Sequence, residues 1–201
     1  MSNFTIDPYR FAIPCVPTNT TTNTFSWEGD DVLSNHMTVP DHNDFTMSGA
    51  GNDDDLPFSF ACWIDIDGIY GDYEKGIICK GHGWGSNGFE WRIYASQLNA
   101  ATVIYVDISD GASFWGDGYR RTVFNHGYGA SAGGHHFVVT YEGGPIAGQT
   151  NHCVKLYLNG VSQTVQTMGG TDVEGMSNLG GDLYLGRIDN AMFPFDGDLM
   201  Q

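Results

Sequence analysis

The sequence predicts an all-β protein with a short N-terminal arm, and three observations support this prediction. The 201 residues include 28 glycines, 12 phenylalanines, 10 tyrosines and 5 tryptophans, which favours sheets joined by many turns. Several segments alternate in polarity with a period of two, so one face of each strand would lie in a core. No segment gives a convincing helix. A chain of this length suits a single domain, because sandwiches of this size commonly form one unit.

Residues 1–23 differ in composition from the rest of the chain. Three prolines interrupt any strand ladder there, and the run TNTTTNT at residues 18–24 has the composition of a linker. We therefore expect an extended arm and tether over residues 1–23 and one domain over residues 24–201. Six apolar residues of the arm are too many for a solvated tail: Phe4, Ile6, Tyr9, Phe11, Ile13 and Val16. The arm is expected to pack on its own domain or on a neighbouring subunit, and a disordered start is the alternative.

The first part of the domain predicts three strands and an acidic loop. Residues 25–39 predict two short strands, and residues 41–57 predict a surface loop because acidic residues collect there among glycines and serine. These acidic residues are Asp41, Asp44, Asp53, Asp54 and Asp55. From residue 58 to residue 67 the alternation is strict, and the core set would be Phe58, Phe60, Cys62, Ile64 and Ile66. The residues between them would form the opposite, exposed face of the same sheet.

The remaining strands follow the same pattern. Residues 76–80, 89–95 and 102–108 predict three strands, and residues 183–187 and 195–200 close the chain as strands. A hairpin is expected between residues 154 and 165, because Asn159-Gly160 tolerates the two positive φ angles of a type I′ turn. Residues 135–141 form the strand before it, with Phe137, Val139 and Tyr141 on one side.

The charge of the chain excludes some classes of partner. The formal net charge is -16, from 24 acidic and 8 basic residues, so its field repels nucleic acid and anionic lipid surfaces. The acidity favours solubility or supplies carboxylates to divalent cations. No run of about 18 apolar residues is present, so no membrane span is predicted. A basic start followed by an apolar block is missing too, so no secretion signal is predicted. The protein is expected either to stay inside the cell that makes it or to leave by a route such as lysis or incorporation into a virus particle.

The cysteines and histidines do not predict a metal site. Cys15, Cys62, Cys79 and Cys153 show no CxxC spacing, and buried free thiols are expected because cysteine packs as a small hydrophobe. His135-His136 are neighbours on a predicted strand, so their side chains would face opposite sides and could not share a metal ion.

The order of the motifs resembles a known family. The segments HFVVTYEGG, VKLYLNGV, DLYLGR and FDGDL, in that order, resemble the laminin-G-like branch of the concanavalin A-like lectins and glucanases. The upstream segments FSWEGDDV, HMTVPDHNDF, FSFACWIDID, GIICKG and GFEWRIYAS fit the same family. The resemblance extends over residues 24–201. It implies a two-sheet antiparallel jelly-roll sandwich of the concanavalin A-like type, here with an extended N-terminal arm.

The acids that the glucanases of this family use are missing. Those enzymes carry carboxylates at alternate positions of one strand, ExDxE or ExDxxE, which places a nucleophile and a general acid on one face. Glu28-Gly29-Asp30 is the only ExD here, and no glutamate follows it at the required spacing. The chain is therefore not expected to be an enzyme.

A structural calcium ion is implied by the resemblance. Members of this family often hold calcium near the paired termini or at the rim, with aspartate carboxylates and backbone carbonyls as ligands. The matching positions are Asp30, Asp31, Asp196 and Asp198. Acidic turns that bind nothing are the alternative, because Asp-Gly is ordinary turn chemistry.

Three glycine-rich aromatic loops predict a sugar site. They span residues 82–88, 110–119 and 126–134, and the candidate ligand-binding residues are Trp84, Trp115, Asp117, Tyr119 and Tyr128. Aromatic rings stack on the apolar face of a pyranose, and polar groups hold its hydroxyls. Anchoring of the loops to the body, or a contact between subunits, is the alternative.

The function expected from these features is recognition without catalysis. The chain resembles bacteriophage virion or appendage proteins that display a lectin-like domain to surface glycans, with the arm joining other subunits in an oligomer or assembly. A purely structural decoration or fibre subunit that binds no sugar is the alternative. The last strand is expected to be short and to pair beside the first strand of the domain, residues 24–27, so part of that first strand would stay unpaired. The arm, a following segment absent from this sequence, or a neighbouring subunit would supply the missing pairing.

Overall fold

The computed structural model of the chain describes eleven segments. They are residues 36–48, 55–66, 74–81, 88–98, 101–111, 119–126, 134–143, 153–170, 175–188, 194–195 and 197–200. The predicted arm, the predicted strand around residues 24–27 and most of the three aromatic loops lie outside these segments.

The described residues form an all-β sandwich, as predicted. The strands are β1 Met37–Val39, β2 Phe58–Ile66, β3 Lys75–Gly81, β4 Phe89–Leu98, β5 Ala101–Ser109, β6 Tyr119–Asn125, β7 His135–Tyr141, β8 Val154–Leu158, β9 Val161–Ser162, β10 Val165–Gly170, β11 Leu183–Leu185 and β12 Gly197–Met200. One sheet has the order β1-β11-β3-β4-β5-β6-β10, and the other has the order β12-β2-β7-β8-β9. All the pairings are antiparallel. This is the architecture of a concanavalin A-like jelly roll.

The helix content of the described segments is a single 3-10 turn at Asn43–Phe45. None of these segments contains a helix long and apolar enough to cross a membrane.

The main core lies between the two sheets. In β2 the alternation is complete, since its buried residues are the five predicted from the sequence and the residues between them are half-buried. Strand β7 repeats this pattern opposite β2, with Phe137, Val139 and Tyr141 buried. The seven-stranded sheet completes this core with Ile93 and Ile104, among others. The burial of these apolar side chains is the dominant favourable contribution to folding.

The predicted hairpin is confirmed in its turn geometry. Asn159 has φ 50° and Gly160 has φ 77°, the two positive angles that a type I′ turn requires. Leu158 pairs with Val161 directly across the turn. The backbone amide of His136 also donates to Oδ1 of Asn159 at 2.9 Å, which ties the turn to β7.

Two irregularities in the pairing of β3 with β4 decide which side chains face outward. Gly76 pairs with Tyr94 and Ile78 with Ile93, so Ile77 is an extra residue on β3. Lys80 pairs with Trp91 and Gly81 with Phe89, so Glu90 is an extra residue on β4. The second bulge carries Phe89 to the same face as Arg92, where the two side chains meet.

The surface position predicted for Asp55 is wrong. Asp55 is only 5% exposed. Its carboxylate accepts hydrogen bonds from the Tyr141 hydroxyl at 2.7 Å and from the Met176 amide at 2.9 Å. These partners lie on strand β7 and in the segment before β11, so this carboxylate joins parts of the chain that are distant in sequence. Burial raises the pKa of Asp55, and the two hydrogen bonds oppose that rise only in part.

The predicted state of the cysteines and the presence of the last two predicted strands are confirmed, although the strand bounds differ. Cys62, Cys79 and Cys153 are buried free thiols, as expected, and Cys15 lies outside the described segments. The strands predicted at residues 183–187 and 195–200 are shorter in the structure, with bounds Leu183–Leu185 and Gly197–Met200.

Candidate functional site

The outer face of the seven-stranded sheet carries polar and aromatic side chains. We call Tyr94, Tyr105, Asp107, Tyr119 and Arg121 the tyrosine–arginine site. Cross-strand register brings them together, because Tyr94 pairs with Tyr105, Asp107 with Arg121, and Ser109 with Tyr119. Neighbours on one face of an antiparallel pair lie about 5 Å apart, within reach of side-chain contact.

The alternation of β5 separates this site from the core. Ile104, Val106 and Ile108 face the core between the sheets, so Tyr105 and Asp107 must face the other way. On the neighbouring β6, Phe124 faces the core and Tyr119 and Arg121 face outward. The site is therefore built on three adjacent strands, β4, β5 and β6.

Asp107 lies at the centre of an ion network. Its carboxylate accepts two hydrogen bonds from Arg92, at 2.9 Å from Nε and 2.7 Å from Nη2. It accepts two more from Arg121, from Nε to Oδ1 and from Nη2 to Oδ2, both at 2.9 Å. The Tyr94 hydroxyl adds a fifth hydrogen bond at 3.2 Å. Charge-assisted bonds of this fork geometry are the strong ones, so the network fixes the position of Arg121.

The electrostatics of the network keep it ionised. Burial alone would raise the pKa of Asp107, but the charge of Arg92 and the hydrogen bonds from Arg121 outweigh burial and lower it. The pKa of Arg121 is raised, because its bonds to Asp107 outweigh the effect of burial. Burial raises the pKa of Tyr94 well above its usual value, so this hydroxyl stays protonated. Asp107 is thus a carboxylate, and both guanidinium groups are charged.

The aromatic rings of the site are arranged around Arg121. Tyr94 and Tyr105 stack with ring centroids 4.8 Å apart and planes inclined by 5°. The guanidinium carbon of Arg121 lies 4.9 Å from the Tyr105 ring centroid and 5.2 Å from that of Tyr119. Contacts of this kind between a cation and a ring are attractive within about 6 Å.

The outer part of the site offers polar groups to a ligand. Tyr105, Tyr119 and Arg121 are half-buried, and the Arg121 side chain is 25% exposed. Two of the five N–H donors of a guanidinium go to Asp107, so three remain on Arg121. Within the described segments, neither the Tyr105 nor the Tyr119 hydroxyl makes a hydrogen bond. A half-exposed patch with two rings and several donors can hold a small polar molecule.

A second group of charges lies at one end of β3. The Lys80 ammonium group is fully buried and contacts Oδ1 of Asp41 at 2.5 Å, the carbonyl oxygen of Gly181, and Oε1 of Glu90 at 3.4 Å. Glu90 is fully buried too, and it accepts the Leu179 amide at 3.0 Å. The ammonium group holds three separate segments together, so its role is structural.

Only part of the sequence-predicted site falls on described residues. Tyr119 lies at the start of β6 in the tyrosine–arginine site, while Trp84, Trp115, Asp117 and Tyr128 lie outside the described segments. Asp198 lies on β12 opposite Asp65, in the other sheet. Asp30, Asp31 and Asp196 lie outside the described segments. In the part of the chain that is described, no group of three or more His, Cys, Asp or Glu side chains could hold a metal ion.

Four residues of the tyrosine–arginine site were not predicted from the sequence: Tyr94, Tyr105, Asp107 and Arg121. For Tyr105 and Asp107 the signal lies in the alternation of β5, where both occupy positions between apolar core residues. The pairing of that aspartate with an arginine on β6 follows from register, which a single sequence does not specify. The prediction that His135 and His136 face opposite sides is confirmed, since one is buried and the other half-buried.

Comparison with known proteins agrees with this architecture. No curated protein matches the sequence. A model of the concanavalin A-like lectin/glucanases superfamily matches residues 30–201, nearly the whole sandwich. Laminin-G-like domains of this superfamily are generally binding modules without enzymatic activity. The two antiparallel sheets and this match together show that the chain belongs to the concanavalin A-like lectin/glucanases superfamily, as a laminin-G-like jelly-roll domain.

Proposed function

We propose that this chain is a non-enzymatic glycan-recognition module and that the tyrosine–arginine site holds the sugar. The observation that supports this most directly is the partly exposed Arg121 side chain between Tyr105 and Tyr119, with three N–H donors that no described residue uses. A sugar ring has an apolar face that packs on tyrosine and hydroxyls that accept from a guanidinium. The site provides both groups on one rigid sheet, which suits recognition because little conformational entropy is lost on binding.

Two buried carboxylates of the seven-stranded sheet support a role without catalysis. Glycoside hydrolysis requires a pair of accessible carboxyl groups, one to donate a proton and one to attack or activate water. Asp107 is fully buried and held by two arginines, and Glu90 is fully buried beside Lys80. Neither carboxylate can reach a glycosidic bond without breaking its own ion pairs.

Tyrosine substitutions on the two sheets test the proposed function. We expect Tyr105→Ala and Tyr119→Ala each to weaken binding to the best ligand of a glycan array by about three- to tenfold, since one aromatic contact is lost. Tyr157→Ala is the matched control, because Tyr157 is a half-buried tyrosine on the five-stranded sheet. Binding is measured by titration calorimetry with the full chain. Equal losses in all three variants would place the sugar elsewhere, and an array without any ligand would refute the function.

We also propose where the module acts. A virion or extracellular appendage would display it to surface glycans, with the arm of residues 1–23 joining it to other subunits. The apolar residues of the arm support this, because they need a protein surface to cover them. Detection of the chain in purified particles, and its loss from particles when residues 1–17 are deleted, would support this location.

A purely structural role is the second candidate, and the outer face of the five-stranded sheet favours it. Ala61, Trp63, Val138 and Tyr157 alternate with core residues and are half-buried on that face. Cross-strand register places Ala61, Val138 and Tyr157 in one row. A contact between subunits would cover these side chains. If Trp63→Ser converts an oligomer to monomers in light scattering while no glycan binds, the structural role is the better account.

A further inference from the structure

We propose that the tyrosine–arginine site binds the carboxylate of an acidic sugar and that Arg121 is the residue that receives it. This inference rests on the proposed function, since it names the class of glycan that the same site would take. It depends on which edge of the Arg121 guanidinium is free, on the access of a ligand to that edge, and on the charges beside it.

One edge of the Arg121 guanidinium is occupied and the other is free. Nε donates to Oδ1 of Asp107 and Nη2 donates to Oδ2, both at 2.9 Å, so the edge that these two nitrogens share is used. One N–H of Nη2 and both N–H groups of Nη1 remain. One donor from each of these two nitrogens points in parallel from the far end of the group. Such a fork matches the two coplanar oxygens of a carboxylate.

The free edge of Arg121 is open to a ligand. The side chain is 25% exposed, and in the part of the chain that the structure describes none of its nitrogens belongs to the buried polar atoms that lack a partner. The unused N–H groups therefore reach solvent. Arg92, in contrast, is only 1% exposed, and its guanidinium carbon lies 4.2 Å from the Phe89 ring centroid. A ligand can contact Arg121, whereas Arg92 contributes only its charge.

The ion pairs of the site leave one positive charge in excess. Arg92 and Arg121 carry two positive charges, and both pair with the single carboxylate of Asp107. Glu74 is the next carboxyl group that interacts with these arginines, and burial raises its pKa, which opposes a second negative charge there. The excess charge favours an anionic group over a neutral one at the free edge of Arg121.

The charge of the whole chain favours a sugar with one acid over a polyanion. The net charge of -16 repels a polymer that carries charges along its length. Salt at about 0.1 M screens exposed charges beyond about 10 Å, but it screens a partly buried contact with Arg121 much less. The rings of Tyr105 and Tyr119, with centroids 4.9 Å and 5.2 Å from the Arg121 guanidinium carbon, can pack against the sugar ring. A sugar with a single carboxylate fits both groups.

Acidic sugars and their methyl esters test this inference, because the ester removes the charge and keeps the sugar. The probes are methyl glucuronide, methyl galacturonide and the methyl glycoside of N-acetylneuraminic acid, each with its own methyl ester. Glucose 6-sulfate represents the other common acidic group of sugars. NMR titration of the full chain gives each Kd. We expect at least one acid to bind about tenfold or more tightly than its ester.

Substitutions of two basic residues separate the site from the overall charge. Arg121→Gln and Lys155→Gln remove the same charge, but Lys155 lies on β8 of the five-stranded sheet, exposed beside Glu142. We expect only Arg121→Gln to bring the affinities of acid and ester to within about twofold of each other. Arg121→Lys keeps the charge without the fork, so the preference for the acid should fall about threefold or more. Circular dichroism checks the fold of each variant, and the wild-type comparison of acid with ester does not depend on them.

Four outcomes would overturn the inference or its basis. If no acid binds more tightly than its ester while an array glycan binds, the selectivity is refuted and the glycan function stands. Tighter binding of glucose 6-sulfate than of every carboxylated probe would contradict the assignment to a carboxylate. Equal effects of Arg121→Gln and Lys155→Gln would place the acidic group elsewhere. Failure to bind any probe or any array glycan would refute the proposed function itself.

Discussion

At the scale of single residues, Asp107 connects two arginines and a tyrosine on the outer face of the seven-stranded sheet. It is fully buried and receives hydrogen bonds from Arg92, Arg121 and Tyr94. A buried ion pair is weak evidence of net stabilisation, since desolvation costs several kcal/mol for each ion. Removal of one partner is a different matter, because it leaves a buried charge without compensation.

Asp107→Asn should therefore destabilise the protein strongly at neutral pH. We expect a loss of about 3–5 kcal/mol in the free energy of unfolding, since the buried Arg92 guanidinium keeps its charge and loses its carboxylate. Asp44→Asn, at an exposed aspartate beside His42, is the control and should cost less than about 1 kcal/mol. Urea denaturation followed by fluorescence measures both variants. A loss at position 107 no larger than that at position 44 would contradict the role of the network.

The effect of this substitution should depend on pH in one direction. The pKa of Asp107 is lowered in the folded state, so its contribution is present above the usual carboxyl pKa of about 3.9. The contribution is lost as the pH falls through the lower folded value. The difference in unfolding free energy between wild type and Asp107→Asn should therefore shrink below about pH 4. A difference that stayed constant from pH 7 to pH 3 would exclude this linkage.

At the scale of elements, the hairpin β8–β9 was predicted from two residues. The turn requires positive φ at both positions, and Asn159 and Gly160 are the residues that tolerate it. A Cβ atom at Gly160 would meet no other atom within 4 Å, so a substitution there tests conformation alone.

Gly160→Ala should lower stability through backbone strain. An alanine at φ 77° costs about 1–2 kcal/mol relative to glycine, with no steric clash to add to it. Gly169→Ala in β10 is the matched control, because it also meets nothing within 4 Å and lies outside the positive-φ glycines. We expect this control to be neutral or slightly stabilising. Thermal denaturation of both variants measures the effect, and an unchanged melting temperature for Gly160→Ala would contradict the type I′ assignment.

Strand β12 bears on the predicted calcium site. Asp198 of this strand lies directly opposite Asp65, and like charges in such a pair destabilise a sheet. A cation bound by Asp30, Asp31, Asp196 and Asp198 would relieve this repulsion as well as bind the turns together. We expect millimolar calcium to raise the melting temperature by a few degrees relative to chelator, because a ligand of the folded state stabilises it by mass action.

A substitution at Asp198 tests whether strand β12 takes part in the predicted calcium site. Asp198→Asn should abolish the gain from calcium, because one of the four expected carboxylate ligands is lost. An identical melting temperature of the wild-type chain in chelator and in calcium would remove the metal site.

At the scale of the whole molecule, the sequence predicted the sandwich better than the site. The period-two alternation of β2 and β7 identified the core, because burial on one face of a strand leaves a direct trace in sequence. The bulges at Ile77 and Glu90 left no such trace, and they decide which side chains of β3 and β4 meet. The tyrosine–arginine site depends on pairing between strands, so only Tyr119 of its five residues was predicted.

The role predicted for the arm can be examined at the edge of the five-stranded sheet, because β12 pairs with β2 there and the strand predicted at residues 24–27 lies outside the described residues. Strand β12 has four residues, and it pairs with residues 63–66 of the nine-residue β2. Among the described residues, β12 does not extend along this edge as far as Phe58–Ala61. Open edges recruit strands, and the apolar residues of residues 1–17 suit this position or the same edge of a neighbouring subunit.

Deletion of residues 1–17 should accordingly lower stability or block assembly. We expect the melting temperature to fall by about 5 °C or more, since a loss of 1 kcal/mol corresponds to about 2–4 °C in a protein of this size. A full-length variant with Phe4, Phe11 and Ile13 changed to serine should reproduce the effect, because it removes the apolar contacts and keeps the chain length. Serine at Thr20, Thr21 and Thr22 of the tether is the control and should change nothing. Light scattering follows assembly in parallel with thermal denaturation. If the truncated protein melts and assembles like the wild type, the arm does not cover the open edge of β2, and another segment or subunit must do so.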